Sequence, residues 1–120
     1  MAQRVFNVTV PSGGAYHNLY SLIVGTAAYG AVNGGTNETG ITGAIPPDSI
    51  LPDRGNVLTL LDPTTGGGSI TVGDRNNANS PGVGLAANQS YNLTSSVNSI
   101  CFKDYLVSGS GSLQVTLGWI

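Results

Sequence analysis

Few residues in this chain have side chains suited to acid–base or nucleophilic chemistry. His17 is the only histidine and Cys101 is the only cysteine. His17 has no serine motif, cysteine or carboxylate pair beside it, so we interpret it as a structural histidine. A single cysteine forms neither an intrachain disulfide nor a cysteine metal site. We interpret Cys101, which lies in a strand pattern, as a small buried apolar residue.

Two other stretches resemble ligand loops without completing them. Residues 74–79 read DRNNAN, with Asp and Asn oxygens at alternating positions, as in a calcium loop. Ala78 takes the third ligand position, and the glycine and terminal glutamate of an EF-hand loop are missing. The glycine run 66–68 precedes a strand pattern, so it has no helix N-terminus to bind phosphate. We predict no metal, no cofactor and no enzymatic activity, with an uncharacterised hydrolase as an alternative.

Scarcity of charge is the most informative feature of the composition. Charged residues make up 8% of the chain, as four basic and six acidic side chains, whereas an ordinary soluble domain has roughly 25%. Asn, Ser, Thr, Gln and Gly must therefore cover much of the surface. Such a surface repels its own copies weakly and has few charges to desolvate on contact. We interpret the chain as a protein that functions in an assembly; a monomer with a polar uncharged coat is the alternative.

Nucleic acid and membranes are not expected as partners. The four basic residues are too scattered to follow a phosphate backbone. No apolar run approaches the roughly 20 residues that a membrane helix requires. The first residues, MAQR, lead directly into a strand pattern without an apolar stretch, so we expect no secretory signal and synthesis in a reducing cytosol.

The second half of the chain predicts a series of short β-strands. From residue 68 onward, apolar residues recur two apart in four runs, which places them on one side of an extended chain. The runs contain Ile70 and Val72, Tyr91 and Leu93, Ile100 and Phe102, and the alternating residues of 113–119. Turn-forming stretches separate the runs, among them Asn88-Gln89 and Ser108-Gly109-Ser110-Gly111. The pattern is typical of an all-β sandwich or barrel.

Strand patterns of the first half complete the prediction. The strands are predicted near 5–10, 17–25, 27–32 or 41–45, 56–62, 69–73, 90–94, 99–107 and 113–119. The Gly- and Pro-rich segment 33–54 has no helical period, and long segments of this kind are often functional, so we expect any contact surface outside the sheets there. We predict one all-β domain over residues 1–120: a two-sheet antiparallel β-sandwich, jelly-roll-like, of about eight strands. An immunoglobulin-like sandwich is the alternative.

Residues 69–119 follow a recognisable plan: a strand SITVGD, a polar loop, a GVGL step, a strand YNL, an isoleucine–aromatic strand SICF and a final alternating strand. This plan resembles the C-terminal half of small β-sandwich virion proteins of tailed phages. Weaker support comes from NLYSLIVG at 18–25. Proteins of this kind are capsid decoration (cement) proteins or domains of head and tail fibres. The resemblance transfers no functional residue.

The resemblance implies a non-enzymatic structural protein that is made in the host cytoplasm and lies on the capsid surface of a bacteriophage virion. We expect it to stabilise the head by bridging major capsid proteins, as a homotrimer. The alternative is a lectin-like or receptor-binding domain of a phage fibre, in which Tyr16, Tyr29 or Tyr105 would stack on sugar rings. An exposed Trp-Ile end would waste apolar surface, so we expect it to pack into its own core or a neighbouring subunit. The candidate subunit or partner contacts are Arg4, Asn37, Asp74, Arg75, Tyr105, Trp119 and Ile120.

Overall fold

The computed structural model describes residues 2–24, 51–63, 69–74 and 82–120. Within these residues the strands are β1 (Ala2–Val10), β2 (His17–Asn18), β3 (Arg54–Gly55), β4 (Val57–Leu61), β5 (Ser69–Asp74), β6 (Val83–Leu85), β7 (Ser90–Thr94), β8 (Ile100–Cys101) and β9 (Tyr105–Trp119). One short helix, α1 (Leu19–Val24), and one 3₁₀ turn (Phe102–Asp104) accompany them. The strands predicted at 27–32 and 41–45 lie outside the described residues.

The fold is built around β9, a strand of 15 residues. Its second half pairs antiparallel with both β1 and β4, and these two strands lie on opposite sides of β9 because both pair with residues 114–118. β7 pairs with β4, which gives a four-stranded unit in the order β1-β9-β4-β7, called sheet A below. The first half of β9 pairs with β2 and β5, and β6 pairs with β5; these strands are called sheet B.

The stretch 108–111, predicted as a turn, continues strand β9 instead. Gly109 and Gly111 have backbone φ angles of 123° and 108°, which only glycine adopts at little cost. Up to Ser110 the strand pairs with β5, and from Gly111 onward it pairs with β1. The Ser-Gly composition therefore marks the point at which β9 changes partners. The prediction of one strand over 99–107 is also wrong. This stretch contains three elements: β8, the 3₁₀ turn and the start of β9.

The predicted strand 17–25 is wrong beyond its first two residues, because β2 ends at Asn18 and α1 follows. Every residue of α1 is buried, so its nearly continuous apolar run carries no period that separates a helix from a covered strand. Asn18 caps the helix: its Oδ1 accepts the Ser21 N–H at 3.2 Å, and its Nδ2 donates to the Lys103 carbonyl at 2.8 Å. The Tyr20 hydroxyl donates to the Leu51 carbonyl at 2.9 Å.

A single hydrophobic cluster joins the two sheets and the helix. Sheet A contributes alternating residues of β1, β4 and β9, and the cluster continues into β5, α1 and the 3₁₀ turn. Fully or nearly fully buried members include Val10, Leu19, Ile23, Leu58, Leu60, Ile70, Phe102, Leu113, Val115 and Leu117. Gly55 in β3 has no room for a side chain, because a Cβ would meet the Phe102 ring and the Gly118 carbonyl oxygen. The Phe102 ring therefore packs directly against the backbone of Gly55.

The all-β prediction is confirmed, and all strand pairs of the described residues are antiparallel. The strands predicted near 5–10, 56–62, 69–73 and 90–94 correspond to β1, β4, β5 and β7. The jelly-roll arrangement of two layers stays a prediction. No helix among the described residues is long and apolar enough to cross a membrane.

Candidate contact surface

Sheet A has one side that faces away from the core. Side chains alternate between the two faces of a strand, and residues directly opposite one another on neighbouring strands share a face. Because Phe6, Val8 and Val10 of β1 point into the core, the alternate residues of β1 point outward. The pairing register extends this outward set across all four strands. We call the resulting surface the outer face.

The outer face consists of three complete rows and one shorter row. The complete rows are Gln3–Gly118–Val57–Thr94, Val5–Thr116–Thr59–Asn92 and Asn7–Gln114–Leu61–Ser90, and the shorter row is Thr9–Ser112. Hydroxyl and carboxamide groups dominate these rows, with aliphatic side chains among them. The surface therefore combines hydrogen-bond donors and acceptors with apolar contact area.

The outer face carries no charged and no aromatic side chain. Within the four strands of sheet A, Arg4 is the only charged residue. Arg4 belongs to the inward-pointing set of β1, and its guanidinium carbon lies 5.4 Å from the centroid of the Phe6 ring. This separation fits a cation–π contact, which holds the charge beside the strand's own core residue. The outer face is thus electrically neutral from one edge of the sheet to the other.

Exposure increases from the middle of the outer face toward its edges. Thr59 and Thr116 on the central strands are half-buried, whereas Val5 at the β1 edge is 57% exposed and Asn92 at the β7 edge is exposed. Gly118 is buried between its neighbours, and a Cβ there would lie 3.0 Å from the Val57 Cβ. Because Gly118 has no side chain, the row that contains it is flatter at this position. A broad face of this kind is suited to contact with another surface rather than to enclosing a small molecule.

Three of the sequence-predicted contacts lie at one end of sheet A. Arg4 pairs with Leu117, and Ala2 pairs with Trp119 in the same register. Trp119 is half-buried and packs against the core, which is the first of the two arrangements expected for the end of the chain. Ile120 is 65% exposed, and its backbone N–H and carbonyl form hydrogen bonds of 2.9 and 3.0 Å with the Asn98 side chain.

Two further predicted contacts meet at the end of sheet B. Asp74 is the last residue of β5, and it pairs with Tyr105, the first residue of β9. Burial raises the pKa of the Tyr105 phenol above its ordinary value of 10.0, and the nearby Tyr91, Asp104, Asp74 and Cys101 raise it further. A phenolate is disfavoured there because its charge would be poorly solvated and close to carboxylates. These residues are separate from the outer face.

Of the remaining predicted contact and sugar-stacking residues, some lie among the described residues and others do not. Asn37, Arg75 and Tyr29 lie outside the described residues. So do residues 33–50 of the segment 33–54 in which a contact surface was expected. Tyr16, the other tyrosine considered for sugar stacking, is half-buried. The predicted contact residues therefore do not form one surface in the part of the chain that the structure describes.

His17 and Cys101 each lie in a short strand that pairs antiparallel with another strand. His17 is 8% exposed and lies in β2 opposite Val107. Cys101 is half-buried rather than fully buried, and it pairs with Arg54 between β8 and β3. Among the described residues, no group of three or more His, Cys, Asp or Glu side chains is arranged to hold a metal ion.

Sequence reasoning missed the outer face as a candidate site. The relevant signal was present in β1, where Asn7 and Thr9 alternate with core residues. What the strand pattern could not show was the register that places Thr116, Thr59 and Asn92 in line with Val5. The uncharged face becomes visible only when these four strands are laid side by side.

Comparison of the chain with protein-family models, curated proteins and solved structures finds no match.

Proposed function

We propose that this protein is a non-enzymatic structural protein of a phage virion, a capsid decoration protein that binds the shell through the outer face of sheet A. The observation that carries the proposal is the absence of charge across the outer face. The resemblance of residues 69–119 to small virion proteins supports the same class. The partners would be the major capsid protein and further copies of this chain.

An uncharged face favours lasting contact because little solvation is lost when water leaves it. Burying an ion costs several kcal/mol unless a partner compensates it, whereas a hydroxyl or amide regains its hydrogen bonds from a polar partner or a bridging water. Aliphatic residues such as Val5 and Leu61 add apolar area to the contact. The partner surface should therefore be polar and uncharged as well.

The size of the outer face indicates how the protein would act. With strands about 4.8 Å apart and about 3.3 Å per residue, four strands over residues 3–9 of β1 cover about 400 Å² in projection. A standard interface buries about 800 Å² per partner, so one copy would bind weakly through this face alone. Several copies on one shell, or copies linked to one another, would reach lasting attachment through avidity.

Location on the particle provides the direct test. Immunogold labelling or cryo-electron microscopy of the parent virion should place the protein on the head. Shells that lack the protein should assemble, and they should rupture at a lower temperature or under milder osmotic shock than complete shells. Label on the tail with saturable binding on a glycan array would instead establish the fibre-domain alternative, and unchanged shell stability would refute stabilisation.

A pair of charge insertions tests the surface itself. Asn92→Lys places a charge in the row that also contains Thr59, and we expect it to reduce shell binding at least tenfold. Ser96→Lys is the matched control, because Ser96 is exposed in the loop after β7. Ser96 lies beyond the end of β7 at Thr94 and belongs to none of the rows of the outer face. Equal binding by both variants would contradict the assignment of the outer face.

A further inference from the structure

The free edge of β1 is the longest strand edge that the described residues leave unpaired. β1 pairs with β9 at every position from Ala2 to Val10, and within the described residues it pairs with no other strand. The other three outermost strands of the seven-stranded arrangement are shorter: β7 has five residues, β6 has three and β2 has two. An edge strand presents a row of backbone N–H and carbonyl groups that can pair with another strand.

The β1 edge has only one of the features that usually protect an edge strand. Natural proteins interrupt such edges with lysine, proline, a bulge or an inward-pointing charge. β1 has no lysine and no proline, and its register with β9 runs one residue to one without a bulge. Its one protective feature is Arg4, an inward-pointing charge whose guanidinium carbon lies 5.4 Å from the centroid of the Phe6 ring. Arg4 is therefore the only residue of β1 whose charge has to be accommodated when another strand approaches.

The sequence of β1 is compatible with antiparallel pairing to itself. When two copies of a nine-residue strand pair over their full length, Phe6 lies at the twofold axis. Val5 then faces the partner's Asn7, and Gln3 faces the partner's Thr9, so polar and aliphatic outward residues meet without charge. Arg4 faces the partner's Val8, and the two Arg4 residues are offset by four positions, or about 13 Å along the strands. This separation exceeds the screening length of about 8 Å.

We infer that the protein forms a twofold dimer in which the β1 strands of two copies pair antiparallel. The pairing joins the two copies of sheet A into one continuous sheet of eight strands in the order β7-β4-β9-β1-β1-β9-β4-β7. The two outer faces then lie side by side on one surface, which doubles its area. The inference goes beyond the proposed function, since it concerns copies of this chain alone, and it departs from the homotrimer expected from the sequence.

Sedimentation velocity of the purified chain over a wide concentration range tests the dimer. We expect a monomer–dimer equilibrium that shifts to monomer on dilution, because an edge-to-edge contact is small. Val5→Lys should weaken the dimer at least tenfold, since the two introduced lysines lie diagonally about 7–8 Å apart across the axis. Thr94→Lys, at the opposite edge of the same face, is the control and should leave the dimer unchanged.

A mixing experiment then tests the register. Asn7→Glu alone should also weaken the dimer, because its two carboxylates approach each other in the same way. An equimolar mixture of V5K and N7E should recover dimers at low salt, because the introduced lysine of one copy faces the introduced glutamate of the other. Far-ultraviolet circular dichroism establishes that each variant is folded.

Each outcome of these experiments decides the inference. A wild-type chain that stays monomeric or forms trimers would overturn it, as would folded V5K and N7E variants that fail to associate when mixed. Shell binding by a chain that remains monomeric would overturn the dimer while leaving the proposed function intact. A dimer that does not bind shells would overturn the proposed function while leaving the dimer intact.

Discussion

The cap of α1 provides the sharpest test of how this fold is held together. Asn18 is completely buried, and its carboxamide forms two hydrogen bonds at once, from the Ser21 N–H and to the Lys103 carbonyl. Asn18→Ala removes both. The loss of a helix N-cap costs about 1 kcal/mol, and the half-buried Lys103 carbonyl left without its donor costs up to about 1–3 kcal/mol more. We therefore expect the free energy of unfolding to fall by about 2–4 kcal/mol.

Urea unfolding followed by tryptophan fluorescence measures this change, because Trp119 is the only tryptophan and packs against the core. For a domain of this size, about 3 °C of melting temperature is lost per kcal/mol, so the melting temperature should drop by about 10 °C. Asn18→Ser separates the two contributions: its hydroxyl can cap the helix, but it is too short to reach the Lys103 carbonyl. Its loss should be intermediate.

Asn92→Ala is the matched control for the Asn18 substitutions. Asn92 is exposed, and its side-chain amide donates a 2.9 Å hydrogen bond to the nearby Ser90 hydroxyl. Exposed substitutions of this kind change stability by about 0.5 kcal/mol or less. If Asn18→Ala were no more destabilising than Asn92→Ala, the cap would not be the reason that residues 19–24 form a helix, and the reasoning would be refuted.

Three further predictions concern backbone and ionisation. Gly109→Ala should destabilise the protein by about 1–3 kcal/mol in urea unfolding, because alanine is strained at a φ of 123°; Gly84→Ala, with open space around its Cβ, should be nearly neutral. Gly55→Ala should lower the melting temperature sharply and alter the circular dichroism of the aromatic residues, since its Cβ would displace Phe102; a melting temperature equal to that of the wild type would contradict the close approach. Above pH 10.0 the unfolded Tyr105 loses its proton while the folded phenol, with its raised pKa, retains it, so stability should fall as pH rises through this region. Tyr105→Phe should remove part of that alkaline loss, and identical pH profiles for the two proteins would count against the pKa shift.

Local sequence patterns predicted several elements well. The alternation of Phe6, Val8 and Val10 correctly assigned β1 and its buried side. The turn predicted at Asn88-Gln89 is confirmed, with Asn88 at a positive φ of 64° and the Gln89 N–H donating to the Ala86 carbonyl at 3.0 Å. Both features depend on neighbours within a few residues, which is why they can be recognised from the sequence.

The errors arose where one local pattern fits two structures. The apolar residues of α1 are buried on every side, so neither the helical nor the strand period appears in them. Glycines such as those at 109 and 111 fit a turn, and they fit equally well the point at which a strand exchanges one neighbouring strand for another. In each case the deciding contact comes from a distant residue, such as the Lys103 carbonyl beside Asn18.

The amino-acid sequence alone determined which residues of each strand of sheet A are apolar and which are polar and uncharged. It did so because side chains alternate with a period of two that is independent of the rest of the fold. Only the tertiary structure decided that Val5, Thr116, Thr59 and Asn92 form one row and that the β1 edge is left unpaired among the described residues. Backbone hydrogen bonds are chemically the same at nearly every residue, so the choice of strand partners follows from packing of the whole core.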